Sequence, residues 1–287
     1  MRTNTFVRSL VRDKFLVLAG LFLLTWWQSP QNFVTLYIVF GQGHFLITYL
    51  YQYRAGKINA KYLLMYIPIL LLCFFALIKL PFEWLVFITG TIFAVHAVFD
   101  EARLTYRDAV PNLLAISVPI ILFSATLFES LFEFDAITPA LFLVGTVLVG
   151  TAVSQRGEAI YKAFASLPSV YVNVISLLLI IVYASRIEVS AEVLLGSIVL
   201  YHYGSWYVHY YFRTANDPIW NGRYLADIFL INAVVLLGFL TFILFEPANP
   251  LKFFFIPTYF YSWTILHILF TSHDFMKLVA SQVKSVR

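Results

Sequence analysis

Predominantly apolar runs recur along the whole chain, and this limits the fold more than any other feature. The run at 62–78, "YLLMYIPILLLCFFALI", has the length and composition of a helix crossing hydrocarbon and carries no charge. Such a segment must satisfy its own backbone, because a bilayer core offers no water to its N–H and C=O groups. Runs of this kind fall at about 15–27, 33–53, 62–78, 84–99, 113–128, 138–153, 168–185, 193–212, 228–245 and 253–270. The expectation is an all-α, polytopic integral membrane bundle of about ten transmembrane helices. It is a single transmembrane domain over 1–287, since no stretch is left over for a soluble one.

The first run is the weakest. Its 13 residues follow Arg2, Arg8, Arg12 and Lys14 as a signal peptide's apolar region would, yet it ends in "TWWQSP" and offers no small-residue cleavage site. The basic residues test the span count independently, because cytoplasmic loops hold the excess of Lys and Arg. With the N-terminus inside, 16 of the 19 Lys and Arg fall on inner segments, and only Lys79, Arg186 and Lys252 on outer loops. Both termini are therefore expected in the cytoplasm, with the chain in the inner (cytoplasmic) membrane. The net charge of +4 is read as this topology signal, and no basic face exists to follow a nucleic acid backbone. The single Cys73 excludes disulfides and thiolate metal clusters within one chain. The sequence fixes no oligomeric state.

Against a chain that is 61% hydrophobic and 12% charged, ionisable groups inside spans stand out. Each costs several kcal/mol on insertion and needs a partner, a wet cavity or a role. His44, His96, His202, His209 and His267 lie in the second, fourth, eighth and tenth spans, which all run from outside to inside. Counted back from the inner span ends at about 1.5 Å per residue, His44 and His202 lie roughly 15 Å deep, and the others shallower. Asn173 and Asn232 fall at similar depth.

Residues four and seven apart share a helix face. Each histidine span carries a polar stripe on one face: His44, Thr48, Tyr51; His96, Asp100, Arg103; His202, Trp206, His209, Arg213; and His267, Thr271, Asp274. Four stripes, each headed by a histidine, converge on one point in the cytoplasmic half. Imidazole is a common ligand for iron, copper and zinc, and a ligating ring hands its second N–H to a carboxylate or carbonyl. Asp100, Glu101 and Asp274 stand at the inner mouth, where they orient such rings or act as ligands. Without thiolates, the set points to non-haem iron (Fe²⁺) ahead of structural zinc. The bland alternative for His44 is a buried ring hydrogen-bonded to Gln42 or to another span, for His96 a pair with Asp100, for His202 a buried structural ring, for His209 and His267 contact with polar groups near the interface, and for His273 plain solvation.

The order of one histidine in an early span, one about fifty residues on and more about a hundred residues later resembles the membrane beta-carotene dioxygenases of bacteria and archaea, the Brp and Blh group. "GQGHF" at 41–45 stands where that family has a Gly-rich histidine motif. The resemblance implies an all-helical membrane enzyme that cleaves carotenoid with oxygen on iron, and makes His44, His96 and His202 ligands. The late pair of that family stands on successive turns, whereas here Trp206 occupies the position four after His202, so His209 or His267 is left to complete the set.

Three classes of function compete on these residues. A metal-dependent oxidoreductase would take a lipophilic, carotenoid- or isoprenoid-like substrate from the cytoplasmic leaflet of the bilayer and hold a tight metal. A transporter relaying ions or protons would need polar residues reaching both faces, and the outer halves of these spans are nearly pure Leu, Ile, Val and Phe. A non-catalytic membrane subunit would use the stripes as interhelical hydrogen bonds and tolerate the loss of any one histidine. Ligation of haem by paired histidines is a further possibility.

Overall fold

The computed structural model describes residues 17, 20, 30–56, 60–105, 113–154, 191–215, 217–245 and 250–271. Among these the chain is helical, with no strand. The helices are α1 (Pro30–Arg54), α2 (Ala60–Leu77), α3 (Phe82–Thr105), α4 (Leu113–Phe132), α5 (Ile137–Ser154), α6 (Ala191–Thr214), α7 (Pro218–Leu244), α8 (Lys252–Phe255) and α9 (Pro257–Thr271). The expected spans at 15–27 and 168–185 lie outside the described residues, Val17 and Gly20 excepted.

The three largest departures from the expected bounds each have a local reason. Helix α3 continues six residues past the expected end at 99, because Asp100, Glu101 and Arg103 end the apolar run without ending the helix. Helix α7 begins ten residues before 228. Asp217 caps it, its Oδ1 accepting from the backbone N–H of Ile219 and Trp220 at 3.2 Å each, and Pro218 fills the first position, where no N–H is missed. The last expected span is two helices, since Pro257 lacks an N–H and drives Ile256 to an extended backbone with ψ 133. Two carbonyls freed at that break find new donors. Gln42 Nε2 donates to Phe254 O at 2.7 Å and Trp263 Nε1 to Phe253 O at 2.8 Å, which ties α1 and α9 to α8. Pro68 and Pro119 lie within α2 and α4.

Helices α1, α6, α3 and α9 close into a ring, each packed on the next, while α2 covers α9, α4 covers α3 and α6, α5 covers α4, and α7 covers α1 and α6. Within the ring the contacts ascend together. Tyr37 meets Tyr261 and, two turns on, His44 meets His267, so α1 and α9 run the same way. Helix α7 runs against α1, with Gly43 beside Asn232 and Tyr51 beside Asp227. The core between them is aromatic and branched aliphatic: Tyr37, Phe45, Phe93, Leu195, Tyr203 and Phe260 are all buried.

The outer faces are greasy. Phe229 and Leu244 of α7, Phe142 of α5 and Leu72 of α2 are 78, 75, 77 and 73% exposed. Val34–Arg54, Phe82–Asp100 and Pro218–Leu244 are long and apolar enough to cross a membrane, and Ile120–Phe132 and Ile137–Val147 are shorter apolar helices. Helices of this kind with exposed Phe and Leu mark a membrane protein.

Candidate metal centre

Each helix of the inner ring contributes one histidine to its centre. His44 of α1, His96 of α3, His202 of α6 and His267 of α9 are 2, 7, 3 and 2% exposed. Their imidazoles follow the order of the helices around a closed circuit. The ring centroids are 5.5 Å apart for His44 and His202, 5.1 Å for His202 and His96, 6.1 Å for His96 and His267, and 5.5 Å for His267 and His44.

These separations bring four imidazoles around one centre. With a metal–nitrogen bond of about 2.0–2.1 Å and about 1.1 Å from nitrogen to ring centre, each centroid lies about 3.2 Å from the ion. Two such rings are then about 4.5 Å apart at a right angle and about 5.2 Å apart at a tetrahedral one. Three sides of the circuit lie near the tetrahedral value and the His96–His267 side is wider, while the donor atoms gathered within 4.8 Å of one another are those of His96, Asp100 and His202.

Hydrogen bonding points the same way. His44 Nδ1 and His267 Nδ1 are enclosed and have no hydrogen-bond partner among the described residues, as an imidazole nitrogen free to take a ligand or a water would be. Gln42 is committed to Phe254, so the hydrogen bond to His44 considered from sequence is not formed. His96 Nε2 lies 3.6 Å from Asp100 Oδ2, beyond hydrogen-bond reach but suited to two donors on one ion. One donor atom each from His96, Asp100 and His202 lie within 4.8 Å of one another. Asp100 is therefore placed to ligate or to orient His96, as neighbours of metal-bound imidazoles do.

The ring contacts bring His96 level with His44, since both pack against His202 and His267. His209 is buried but sits two turns beyond His202, about 10 Å further along α6, where its ring packs on Tyr210. Of the two candidates for the fourth corner, His267 is the one brought to the circuit. The side chain of Glu101, and Asn173, His273 and Asp274, lie outside the described residues. Asn232 lies beside Gly43, with its Nδ2 donating to Ile228 O at 2.8 Å.

Aromatic side chains wall the circuit, and of these the sequence reading singled out only Trp206. Tyr203 stacks on His44 at 4.5 Å and 25°, Phe45 on His267 at 4.3 Å and 24°, and Trp206 meets His44 edge-on at 5.0 Å. Phe93 packs against His202 at 5.3 Å. The only sequence signal for the others was adjacency: Phe45 and Tyr203 each follow a site histidine directly. Gly41 and Gly43 permit the close approach, since a side chain at either would collide with Phe260 and Tyr203 or with Asn232. Such walls exclude water and fix the rings in place. Set against protein-family profiles, curated proteins and solved structures, the chain matches none.

Proposed function

We propose that this chain is a membrane-embedded metalloenzyme, a non-haem iron oxygenase acting on a lipophilic, carotenoid- or isoprenoid-like substrate. One observation carries the reading: four buried imidazoles, one from each of four helices, meet in a closed circuit, and donor atoms of His96, His202 and Asp100 lie within 4.8 Å of one another. His44, His96, His202 and His267 hold the iron, and Asp100 ligates it or orients His96. Iron held by these residues would supply the activation of oxygen, chemistry that the side chains alone do not provide. The chain's own residues do the rest. Tyr203, Trp206, Phe45 and Phe93 keep water out and present an apolar wall to a polyene. The greasy outer faces let such a substrate arrive through the bilayer.

The order of the histidines and the "GQGHF" stretch, with their resemblance to the membrane beta-carotene dioxygenases, support carotenoid-like over other lipophilic substrates. The excess of Lys and Arg on alternate segments supports ten spans, an inner-membrane location and cytoplasmic termini, with the substrate drawn from the cytoplasmic leaflet. The test is oxygen uptake by detergent-purified protein loaded anaerobically with Fe²⁺, given either a conjugated polyene or a saturated isoprenoid of equal length. Uptake and chain cleavage with the polyene alone are expected. Tightly bound iron with no uptake on either substrate would sink the oxygenase reading.

A further inference from the structure

The aromatic contacts around the histidine circuit are unequal in kind. Outward from the site they pass through phenylalanine: Tyr203 on His44 leads on to Phe45 and Phe93, and Phe45 on His267 leads to Phe260 at 5.8 Å before Tyr37 is reached at 5.6 Å. Phenylalanine is too hard to oxidise to carry charge. Inward from His44, a path of tryptophan and tyrosine rings runs among the described residues. Trp206 lies 5.0 Å from His44, Tyr210 4.4 Å from Trp206, Tyr224 6.3 Å from Tyr210, and Tyr51 6.0 Å from Tyr224. All four steps lie at or below the 4.5–7 Å over which aromatic rings are in contact. Three different helices supply these rings, so no single helical repeat generates the path.

The far end has the chemistry of a terminus. Tyr51 donates its phenolic proton to Asp227 Oδ2 at 3.0 Å, and Arg54 holds the same carboxylate with Nη2 3.2 Å from Oδ1. Tyr224 donates instead to the carbonyl of Tyr207 at 3.1 Å, which cannot accept the proton outright. An oxidised phenol is a far stronger acid than a carboxylic acid. Tyr51 can therefore lose an electron and hand its proton to Asp227 in one step, whereas Tyr224 serves only as a relay.

We infer that Trp206, Tyr210, Tyr224 and Tyr51 form an electron conduit between the histidine site and the end of the bundle where Asp227 and Arg54 lie. It rests on the iron reading above. A dioxygenase draws no external electrons in productive turnover, so the conduit would serve the uncoupled event in which a peroxide, itself reduced to the level of water, oxidises the site by two electrons with no substrate there to supply them. One electron leaves Tyr51 and reaches the site through the three intervening rings, and the phenolic proton passes to Asp227. A neutral tyrosyl radical is left at position 51. A one-electron cytoplasmic reductant, such as a thiol or a reduced flavin, restores the phenol as the proton returns from Asp227.

The experiment uses full-length protein loaded with Fe²⁺ and assayed for iron, mixed with hydrogen peroxide as the oxidant and freeze-quenched for electron paramagnetic resonance. Wild type grown on ring-deuterated tyrosine is expected to show a tyrosyl signal whose hyperfine pattern collapses on deuteration. Tyr51→Phe and Trp206→Phe are each expected to lose that signal while keeping their iron, the latter variant leaving Tyr51 intact but disconnected. Iron present with no tyrosyl radical, or a radical untouched by Trp206→Phe, overturns the conduit and leaves the iron reading standing. Absence of iron from the wild type overturns both.

Discussion

Substituting alanine at Gly43 and at Gly145 separates close packing at the site from the general effect of removing a helical glycine. Both glycines lie within helices, so each substitution gains up to about 1 kcal/mol of helix propensity. Changes in the unfolded chain are shared and cancel between the two. At Gly145 the new methyl meets open space, and the gain stands alone. At Gly43 it enters the volume of the Asn232 amide, which must be pushed aside. Overpacking of this kind costs about 1–3 kcal/mol. Rotating Asn232 away also gives up its hydrogen bond to Ile228 O, worth about 0.5–1.5 kcal/mol. After the propensity gain, Gly43→Ala is expected to lose about 2 kcal/mol, which puts the two variants about 3 kcal/mol apart. At about 2 °C per kcal/mol for a chain of this length, paired thermal melts in one detergent should differ by about 6 °C. Gly43→Ala should also weaken metal retention, because His44 is the next residue, and Gly145→Ala should not. Equal melting temperatures for the two would refute the argument that Gly43 exists to admit Asn232.

Three further outcomes follow from the packing and the charge pattern. A double-mutant cycle on Arg54→Ala and Asp227→Ala, read by chemical or thermal unfolding, is expected to give a coupling of about 0.5–1 kcal/mol, because the pair is partly exposed; a coupling near zero would remove it as a tie between α1 and α7. Gln42→Leu keeps the volume but strips Phe254 O of its donor, so a loss of about 1–3 kcal/mol is expected in the same melts, and an unchanged melting temperature would mean that the carbonyl finds another partner. A fluorescent protein that matures only in the cytoplasm, fused to the C-terminus, is expected to shine, whereas a periplasm-active phosphatase in the same place should be inactive; the reverse pair would invert the topology drawn from Lys and Arg.

The histidine convergence was legible because polar residues in apolar spans are costly, and the stripes at four- and seven-residue spacing oriented each one. His44, His96, His202 and Asp100 were readable in this way. The choice between His209 and His267 was not, since spacing within a helix says nothing about which other helix lies beside it. His209 shares its face with His202 yet sits two turns away, while His267 arrives from α9. The aromatic walls were hidden for a different reason: Tyr203 and Phe45 in an apolar span look like ordinary core. Hydropathy also misplaces helix ends where polar residues continue a helix, as Asp100 to Arg103 do in α3. It misses a break inside an apolar run, as at Pro257. The start of α7 was present in the sequence as Asp217 and Pro218, but the same residues also read as a turn.

The most direct test of the central claim is metal content. Wild type and His44→Ala, His96→Ala, His202→Ala, His267→Ala and His209→Ala would be purified anaerobically with Fe²⁺ supplied, checked for folding, and analysed for iron, zinc, copper and manganese. About one iron per chain is expected in the wild type and in His209→Ala, with loss in each of the other four, since a four-coordinate site fails when any ligand is removed. Retention of iron in His267→Ala with loss in His209→Ala would contradict the assignment of the fourth ligand. No bound metal in a folded wild type would contradict the centre itself.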